Sequence, residues 1–490
     1  MPEKTLKGKS LWGTALALFV AACGVKWFYL AQQHYYMVLS NELPGSYDLA
    51  KTFEIKDLLR RLFISCDYTL GSCRPFFTNL LYILTFKGFG YEPQVVLVMG
   101  VLVGSLLVPL FFLAVNALIN VEVALAASVI LVWMTNYICQ SIVLTTILPG
   151  ILFIVGALLA AVRYHRKGGI GYLCLSGCLI SMSVFCRYEN ALLLPVFVGY
   201  EFFFDQKGGF FSRLIYGLLC ASSSLYILYC NYHLHGDFFY IIRLQTAAAL
   251  MARDVVPVSW AKAFEMGWEL LLGLMGLGPL PWVAAVAGAV FMIKRHKFRA
   301  LWMFLGVLLL LLFQINQNNT FGLSGDHFFL SALVALPLGL ECVRAFFSGV
   351  GRRRIWGVIA LGVVVVCCAG SYYRENLQRF SLLLKDSRKE VRLTETLKMI
   401  PGGTALYLDD DLNRFGLATQ TVLVYLKRDP LKFQYVPGQT KPSEKEYYLL
   451  TLDSHKGNVP IMKAVKVRDY GAYGFEGVVL YRVTQSPDGK

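Results

Sequence analysis

Long apolar runs alternate with short polar gaps along most of the chain. Each run is close to the length that an α-helix needs to cross about 30 Å of hydrocarbon. The pattern predicts a mainly α polytopic membrane protein with about eleven transmembrane helices. The runs are 11–31, 95–119, 121–138, 146–163, 170–186, 190–204, 211–229, 268–293, 300–317, 327–345 and 355–372.

Lys and Arg residues cluster in alternate gaps, and these gaps are short, which is typical of cytoplasmic loops. Two long gaps, 32–94 and 230–267, are rich in aromatic residues and mixed in charge, so we expect them outside the cytoplasm. The N-terminus is therefore predicted inside and, after an odd number of crossings, the C-terminus outside. The clustered basic residues are Lys4, Lys7, Lys9, Arg163, Arg166, Lys167, Lys207, Arg213, Lys294, Arg295, Lys297, Arg299, Arg344, Arg352, Arg353 and Arg354.

The polar stretch 373–490 differs in composition from the membrane domain predicted over 1–372. Its alternating helix and strand patterns predict a small extracytoplasmic α/β domain. Helices are predicted at 374–399 and 419–427, and strands at 404–408, 432–436, 446–452 and 478–483.

Composition agrees with a membrane protein, because 56% of the residues are hydrophobic and 16% are charged. The net charge of +15 does not indicate nucleic-acid binding, since much of the positive charge sits in the predicted cytoplasmic gaps. We expect the lipid bilayer as a partner and a bacterial inner membrane as the location. Cys66 and Cys73 lie in the same predicted outer loop. Whether they form a disulfide or remain free thiols stays open.

The large first outer loop, 32–94, is too polar to span and rich in aromatic residues. Apolar residues at helical spacing within 47–63, interleaved with Lys and Arg, predict an amphipathic helix on the membrane surface. The apolar stretch 76–86 is too short to cross, which favours a re-entrant or interfacial segment. The loop thus has the pattern of a platform at the boundary between lipid and water.

The order of these features resembles the GT-C class of multi-spanning glycosyltransferases, the ArnT-like and protein-mannosyltransferase-like superfamily that uses polyprenyl-phosphate sugars. The resemblance lies in an acidic first loop, a Pro-containing stretch before an apolar helix, an Arg with an acidic residue at the end of a middle crossing, and a late aromatic or basic motif. These are Gly45-Ser46-Tyr47-Asp48-Leu49-Ala50; Arg74-Pro75-Phe76-Phe77 with Lys87-Gly88-Phe89-Gly90; Cys186-Arg187-Tyr188-Glu189-Asn190 with Leu194-Pro195; and Gly325-Asp326-His327-Phe328-Phe329 with Pro337.

The resemblance implies a hexosyl- or pentosyltransferase that moves a sugar from a polyprenyl-phosphate donor to an acceptor outside the cytoplasm (a lipid, glycan or protein). One carboxylate can take the proton of the acceptor hydroxyl, and attack assisted by a single base inverts the anomeric centre. Many members carry two close acidic residues in the first loop, whereas here Glu42 lies six residues before Asp48. The base therefore stays open between these two, with Asp48 first.

Arg side chains suit the leaving phosphate, because their planar fork matches its oxygens. We expect donor-phosphate binding by Arg74, Arg187 and Arg243, and substrate binding by Glu42, Tyr188, Glu189 and His327.

Several of these residues also have a structural interpretation. Asp48 can cap the helix that follows it, and Arg243 can be a snorkelling anchor. His233 and His235 have the look of metal ligands, but no third ligand is near them in the sequence. We therefore expect no metal at these histidines and no cofactor. Dependence of the reaction on a divalent metal stays open, although no residue pattern supports it.

Two other functions stay open. A transporter or flippase typically has inverted repeats and charges near the midplane, whereas the polar residues here cluster at one face. A glycan ligase or polymerase would use a diphosphate-linked lipid and a large late outer loop, whereas the large outer loop here is early.

Overall fold

The structure, a computed structural model, describes most of the helical part of the chain and the core of its C-terminal part. The described residues are 9–32, 50, 54, 56, 60, 61, 65, 76–145, 147–204, 209–240, 329–350, 354–401, 404–409, 412, 432–435, 446–452, 464–470 and 478–484. Within them lie the helices α1 Lys9–Gln32, α2 Phe76–Phe89, α3 Pro93–Ser105, α4 Leu107–Leu118, α5 Val121–Trp133, α6 Thr135–Ile142, α7 Ile147–Lys167, α8 Ile170–Val184, a 3₁₀ helix Tyr188–Leu193, α9 Leu194–Phe204, α10 Phe210–His235, α11 Phe329–Val350 and α12 Arg354–Leu397.

Five of the described helical stretches are long and apolar enough to cross a membrane, and each coincides with a run predicted from the sequence. They are Ser10–Gln32, Gln94–Leu118, Ile147–Lys167, Phe210–His235 and Ile355–Gln378. The helices α5 and α8 are apolar but shorter. The predicted runs 268–293 and 300–317 lie outside the described residues, so the number of eleven crossings stays a prediction, as does their orientation.

The crossing formed by α3 and α4 is broken at Leu106. Pro109, in the first turn of α4, has no N–H to donate to the carbonyl of Ser105 four residues earlier. The interruption of the helix coincides with this missing hydrogen bond. The break matters for the polar interior, because Ser105 is hydrogen-bonded to Lys26 of α1.

Two glycines of α3 let α6 approach closely. A methyl group at Gly100 would lie 2.4 Å from the carbonyl oxygens of Ser141 and Ile142, and one at Gly104 would lie 2.5 Å from the side chain of Ser141. The spacing of four residues places both glycines on one helix face, as in small-residue helix contacts of membrane proteins. The glycines are therefore needed for this packing.

Helix α5 is anchored at its start. The Asn120 side chain caps the helix by accepting a hydrogen bond from the backbone N–H of Val123, and its amide donates to the buried carboxylate of Glu341 in α11. Arg344 pairs with the same carboxylate at 2.7 Å. A buried carboxylate needs such partners, and together they connect α5 to α11.

Helix α12 continues where a boundary was predicted. The sequence analysis placed a crossing at 355–372 and a separate helix at 374–399, but the structure has a single helix, Arg354–Leu397. No proline interrupts this stretch, and Gly370 faces open space and is tolerated within the helix. The predicted domain boundary at residue 372 therefore falls inside a continuous helix.

The chain forms two compact units. The first comprises Met1–Phe28, Phe53–Leu81 and Val98–Leu377, and the second comprises Tyr29–Thr52, Tyr82–Leu97 and Gln378–Lys490. In the first, α7 and α10 pack against α8, and α4 packs against α5 and α7.

The second unit contains a five-stranded mixed sheet with the strand order β2-β1-β3-β5-β4. β1 is parallel to β2 and β3, whereas β5 is antiparallel to β3 and β4. The strands are β1 Ala405–Asp409, β2 Lys432–Tyr435, β3 Glu446–Leu452, β4 Ala464–Asp469 and β5 Val478–Thr484.

Both faces of the central strands are buried. In β3, Leu450 packs with Leu393 and Leu397 from the end of α12, whereas Tyr447 and Leu449 contribute to a separate cluster. This alternation follows from the two-residue period of a strand.

Four predicted strands are present within a residue or two: β1, β2, β3 and β5. The sequence analysis missed β4, an edge strand in which Val465 and Val467 are exposed. The predicted helix at 419–427 lies outside the described residues. The location of this domain outside the membrane stays a prediction.

Candidate functional site

Three of the predicted site residues, Arg187, Tyr188 and Glu189, are described, and they follow the end of α8. The others lie outside the described residues, so their roles stay predictions. These are Glu42, Asp48, Arg74, Arg243 and His327.

Arg187 occupies the break between α8 and the 3₁₀ helix. Its backbone is extended, with φ −151° and ψ 129°, which ends the helical path and lets the chain turn. The backbone N–H groups of Cys186 and Arg187 both donate to the carbonyl of Ser183 at 3.1 Å. The turn is thus tied to the last residues of α8.

The side chain of Asn190 closes the same turn. Its amide nitrogen donates to the carbonyl of Ser183 at 2.9 Å, and its backbone N–H donates to the carbonyl of Arg187 at 3.1 Å. A methyl group at Gly150 of α7 would lie 2.8 Å from the Asn190 amide nitrogen. The absence of a side chain at Gly150 leaves the space that the Asn190 amide occupies.

The guanidinium of Arg187 forms a loose two-point pair with Glu189. Nε lies 3.5 Å from one carboxylate oxygen, and Nη2 lies 3.4 Å from the other. The Arg187 side chain is 10% exposed and that of Glu189 is 29% exposed. The guanidinium is therefore mostly withdrawn from water, and its distances to Glu189 are longer than those of a tight ion pair.

The start of α2 is hydrogen-bonded to the same region. The backbone N–H of Phe77 donates to the carbonyl of Phe185 at 3.1 Å, and the Phe77 ring packs edge-on against Phe153 of α7 at 5.0 Å. The segment that follows Arg74-Pro75 therefore lies beside the end of α8. This agrees with the expectation that the first outer loop and the Arg187 region share one end of the bundle.

The last turns of α10 complete this end. Phe185 and Tyr188 pack against a buried cluster that includes Ile227 and Cys230, and the rings of Phe185 and Tyr226 lie 5.9 Å apart.

Beyond that cluster, aromatic rings stack on the two histidines of α10. His233 stacks on Tyr229, and His235 stacks on Tyr240. Among the described residues, no group of three His, Cys, Asp or Glu side chains could hold a metal ion.

The sequence analysis missed Lys26, a fully buried lysine side chain within α1. Its ammonium donates to the hydroxyls of Tyr137 at 2.8 Å and Ser105 at 3.2 Å, and Tyr137 in turn donates to the carbonyl of Gly104. The network joins α1, α3 and α6. A lone Lys within the apolar run 11–31 was the available signal, since ionisable residues inside a crossing are costly.

The sequence analysis also missed a buried pair of ionisable residues at the other end of the bundle. His165, in the last turn of α7, lies 3.1 Å from the carboxylate of Glu201 in α9, and both side chains are buried. The signal was again a single ionisable residue, Glu201, within an apolar run. Basic residues at the same end of α7, Arg166 and Lys167, identify it as the predicted cytoplasmic side.

Comparison with known proteins shows a family profile and solved structures to which the chain is similar. Residues 73–235, from the approach to α2 through α10, match the profile of the family described as dolichyl-phosphate-mannose-protein mannosyltransferase. Nearly the whole chain is similar to ArnT from Cupriavidus metallidurans bound to undecaprenyl phosphate, at 12% sequence identity, with 97% of this chain and 98% of that chain covered and a TM-score of 0.63. The chain has a GT-C fold.

The GT-C similarity extends to ArnT from Cupriavidus metallidurans in the apo state, at 12% identity, with 95% and 97% of the two chains covered and a TM-score of 0.59. No curated protein matches the chain in sequence. The resemblance to the GT-C class drawn from the sequence is confirmed, and the protein is an integral membrane protein. The stretch that matches the family profile contains Arg187, Glu189 and Asn190.

Proposed function

We propose that the chain is a membrane glycosyltransferase that moves a hexosyl or pentosyl group from a polyprenyl phosphate to an acceptor hydroxyl outside the cytoplasm. The observation that carries the proposal is the mostly buried guanidinium of Arg187, paired with Glu189, in a GT-C fold shared over nearly the whole chain with ArnT bound to undecaprenyl phosphate. A fold alone does not fix an activity, so the proposal depends on the chemistry at Arg187.

Arg187 is the group best placed to hold the donor phosphate. Its guanidinium is mostly withdrawn from water, which strengthens its attraction for an anion. Glu189 pairs with the guanidinium from one side, so the mostly buried charge is not left without a partner before phosphate binds. Arg74, three residues before Phe77, and Arg243 are proposed as further phosphate donors.

The proposed reaction is a single displacement. The carboxylate of Asp48, with Glu42 as the alternative, takes the proton of the acceptor hydroxyl while its oxygen bonds to the anomeric carbon. The bond between this carbon and the phosphate oxygen breaks, and the polyprenyl phosphate leaves with the electron pair. Its added negative charge is stabilised by the Arg side chains, and the anomeric centre is inverted.

The partners follow from this scheme. The polyprenyl tail would lie in the bilayer along the apolar helices, with its phosphate at the outer interface. Tyr188 and His327 are proposed to contact the sugar or the acceptor, which is a lipid, a glycan or a protein. We place the protein in a bacterial inner membrane with the C-terminal sheet on the outer side.

Release of polyprenyl phosphate by purified protein in detergent tests the proposal. The protein is offered a panel of polyprenyl-phosphate sugars with lipid, glycan and peptide acceptors, and wild type is compared with Asp48→Asn and Glu42→Gln. We expect release by wild type and loss of at least about a hundredfold in Asp48→Asn, because removal of a general base typically costs about 10²–10⁴ in rate.

Each other outcome changes a defined part of the proposal. Loss in Glu42→Gln with normal release by Asp48→Asn would transfer the base to Glu42. Release only from diphosphate-linked donors would favour the glycan ligase or polymerase. No release from any donor, combined with solute uptake into vesicles, would support the transporter instead.

A further inference from the structure

We infer that Asn190 is a positioning residue for the donor phosphate, acting through Arg187, and that Gly150 provides the space it needs. This inference rests on the proposed function, since it assigns a role within the same phosphate site. It concerns two residues, one in the 3₁₀ helix and one in α7, to which the sequence analysis gave no role.

The hydrogen bonds of Asn190 enclose Arg187. The side-chain amide reaches back seven residues to the carbonyl of Ser183, while the backbone N–H of Asn190 holds the carbonyl of Arg187. Because Ser183 presents a carbonyl oxygen, the nitrogen of the Asn190 amide must face it. Arg187 therefore lies in a loop closed at both ends by the same residue.

The contribution of Gly150 is steric. A methyl group there would lie 2.8 Å from the Asn190 amide nitrogen and 3.4 Å from Cβ of Cys186. A methyl carbon and an amide nitrogen would clash at this distance, so the Asn190 amide would have to move away from Ser183. Gly156, two turns later on α7, is the matched control, because a methyl group there would meet Leu179 at an ordinary 3.4 Å.

The hydrogen bonds of Asn190 matter because the Arg187 backbone is extended between two helical segments. Its backbone is fixed by two hydrogen bonds, from its own N–H to the carbonyl of Ser183 and from the Asn190 N–H to its carbonyl, and the Asn190 amide binds the same Ser183 carbonyl. Phosphate recognition by the guanidinium fork is directional. Loss of the Asn190 bond should therefore weaken phosphate binding without removing any group that touches the ligand.

Binding of undecaprenyl phosphate to the full-length protein in detergent tests this inference. Asn190→Asp keeps the shape of the side chain but replaces the amide donor by an oxygen facing the Ser183 carbonyl. We expect about tenfold weaker binding for Asn190→Asp and for Gly150→Ala, and wild-type binding for Gly156→Ala. Thermal unfolding in the same detergent verifies that each variant is folded at the assay temperature.

A double-mutant cycle with Arg187→Ala separates positioning from general damage to the structure. If Asn190 acts through Arg187, then adding Asn190→Asp to Arg187→Ala causes no further loss of binding. Additive losses, or wild-type binding by Asn190→Asp while Arg187→Ala binds weakly, would overturn the inference and leave the proposed function standing. Failure of the wild type to bind undecaprenyl phosphate would overturn both.

If Asn190→Asp does not fold, the comparison of Gly150→Ala with Gly156→Ala tests the inference instead. Weak binding by Gly150→Ala beside wild-type binding by Gly156→Ala supports the inference, and equal binding by the two variants overturns it. In the transfer assay, we expect Gly150→Ala to lower kcat/KM for the donor while KM for the acceptor is unchanged, a split that a loosened bundle would not produce.

Discussion

At the scale of single residues, the proposed phosphate binding depends mainly on the guanidinium of Arg187. Its planar fork can bind two phosphate oxygens at once, and it is held by Glu189 in a mostly buried setting. Lysine would keep the charge but lose the fork.

We predict that Arg187→Ala lowers kcat/KM for the polyprenyl-phosphate donor by about 10²–10³ and that Arg187→Lys lowers it less, by roughly tenfold, because charge stabilisation of a leaving group is typically of this size. Initial rates of polyprenyl phosphate release measure both. Arg482→Ala is the matched control, since Arg482 forms an exposed pair with Glu446 on the C-terminal sheet. Equal activity in Arg187→Ala and Arg482→Ala would remove Arg187 from the site.

A second prediction concerns Lys26. Tyr137→Phe removes the hydroxyl that accepts a hydrogen bond from its side-chain nitrogen, whereas Lys26→Met replaces the polar group by an apolar side chain of similar length. Leaving a buried polar group with fewer partners costs more than replacing it by an apolar one. We expect Tyr137→Phe to lower the apparent Tm more in wild type than in the Lys26→Met background.

The two backgrounds should differ by about 0.5–3 kcal/mol of coupling, the usual range for residues in one network. Thermal unfolding of the four variants in detergent provides the measurement. Equal effects of Tyr137→Phe in both backgrounds would mean that the hydroxyl does not support Lys26.

Sequence patterns suggested part of the proposed phosphate site. Arg187 and Glu189 were identifiable because they flank apolar runs, where a charge stands out. Lys26 and Glu201 were missed because each is one charge inside a long apolar run. Asn190 was not identifiable as a positioning residue, because its role depends on the carbonyl of Ser183 and on Gly150, a residue of another helix.

At the scale of helices and strands, close contact between α3 and α6 depends on two glycines. Any side chain at Gly104 would meet Ser141, and one at Gly100 would meet the backbone of α6, which cannot rotate away. The same helix pair carries Ser105 and Tyr137, so its spacing also sets the environment of Lys26.

We predict that Gly104→Ala destabilises the protein by about 1–3 kcal/mol, the usual cost of overpacking, whereas Gly24→Ala is neutral or slightly stabilising. Both glycines lie within helices, but a methyl group at Gly24 meets nothing within 4 Å. Apparent Tm values in detergent compare the two. Equal Tm values would show that α3 and α6 can separate without cost.

The elements most accessible to sequence reasoning were those with a strong period or a long apolar run. The five longest described crossings and strands β1, β3 and β5 belong to this group. The edge strand β4 was missed because it buries little apolar surface, and the start of the tail helix was wrong because nothing in 354–397 marks a stop. The break at Leu106 was not predicted, although Pro109 was its signal.

At the scale of the whole molecule, the proposed function depends on which helix ends lie on the same side of the membrane. Arg187 and Phe77 lie at one end of the bundle, and His165 and Glu201 lie at the other. The positive-inside rule assigns the second end to the cytoplasm.

We predict that Lys167→Cys and Asp237→Cys react with a membrane-impermeant maleimide from opposite sides of the membrane. Lys167 ends α7, and Asp237 follows α10 in a turn where it is partly exposed between the exposed residues Gly236 and Phe238. Labelling of intact cells should modify Asp237→Cys, and labelling of inverted vesicles should modify Lys167→Cys, with wild type as the background. Reaction of both from one side would contradict the proposed topology.

The GT-C fold is retained at 12% sequence identity to ArnT, so most of the shared information lies in the pattern and not in the letters. Apolar runs and the positions of a few charges were therefore sufficient to indicate the class. They were not sufficient for the sugar or the acceptor, because selectivity depends on side chains from several separate segments of the chain.

Everything proposed for this protein depends on a lipid phosphate bound at the Arg187 end of the bundle. An experimental structure of the protein with undecaprenyl phosphate tests it most directly. We expect the phosphate within hydrogen-bond reach of the Arg187 guanidinium, beside the start of α2, with the tail among the apolar helices. A phosphate bound at the His165 and Glu201 end, or an Arg187 that contacts only protein in the complex, would contradict it.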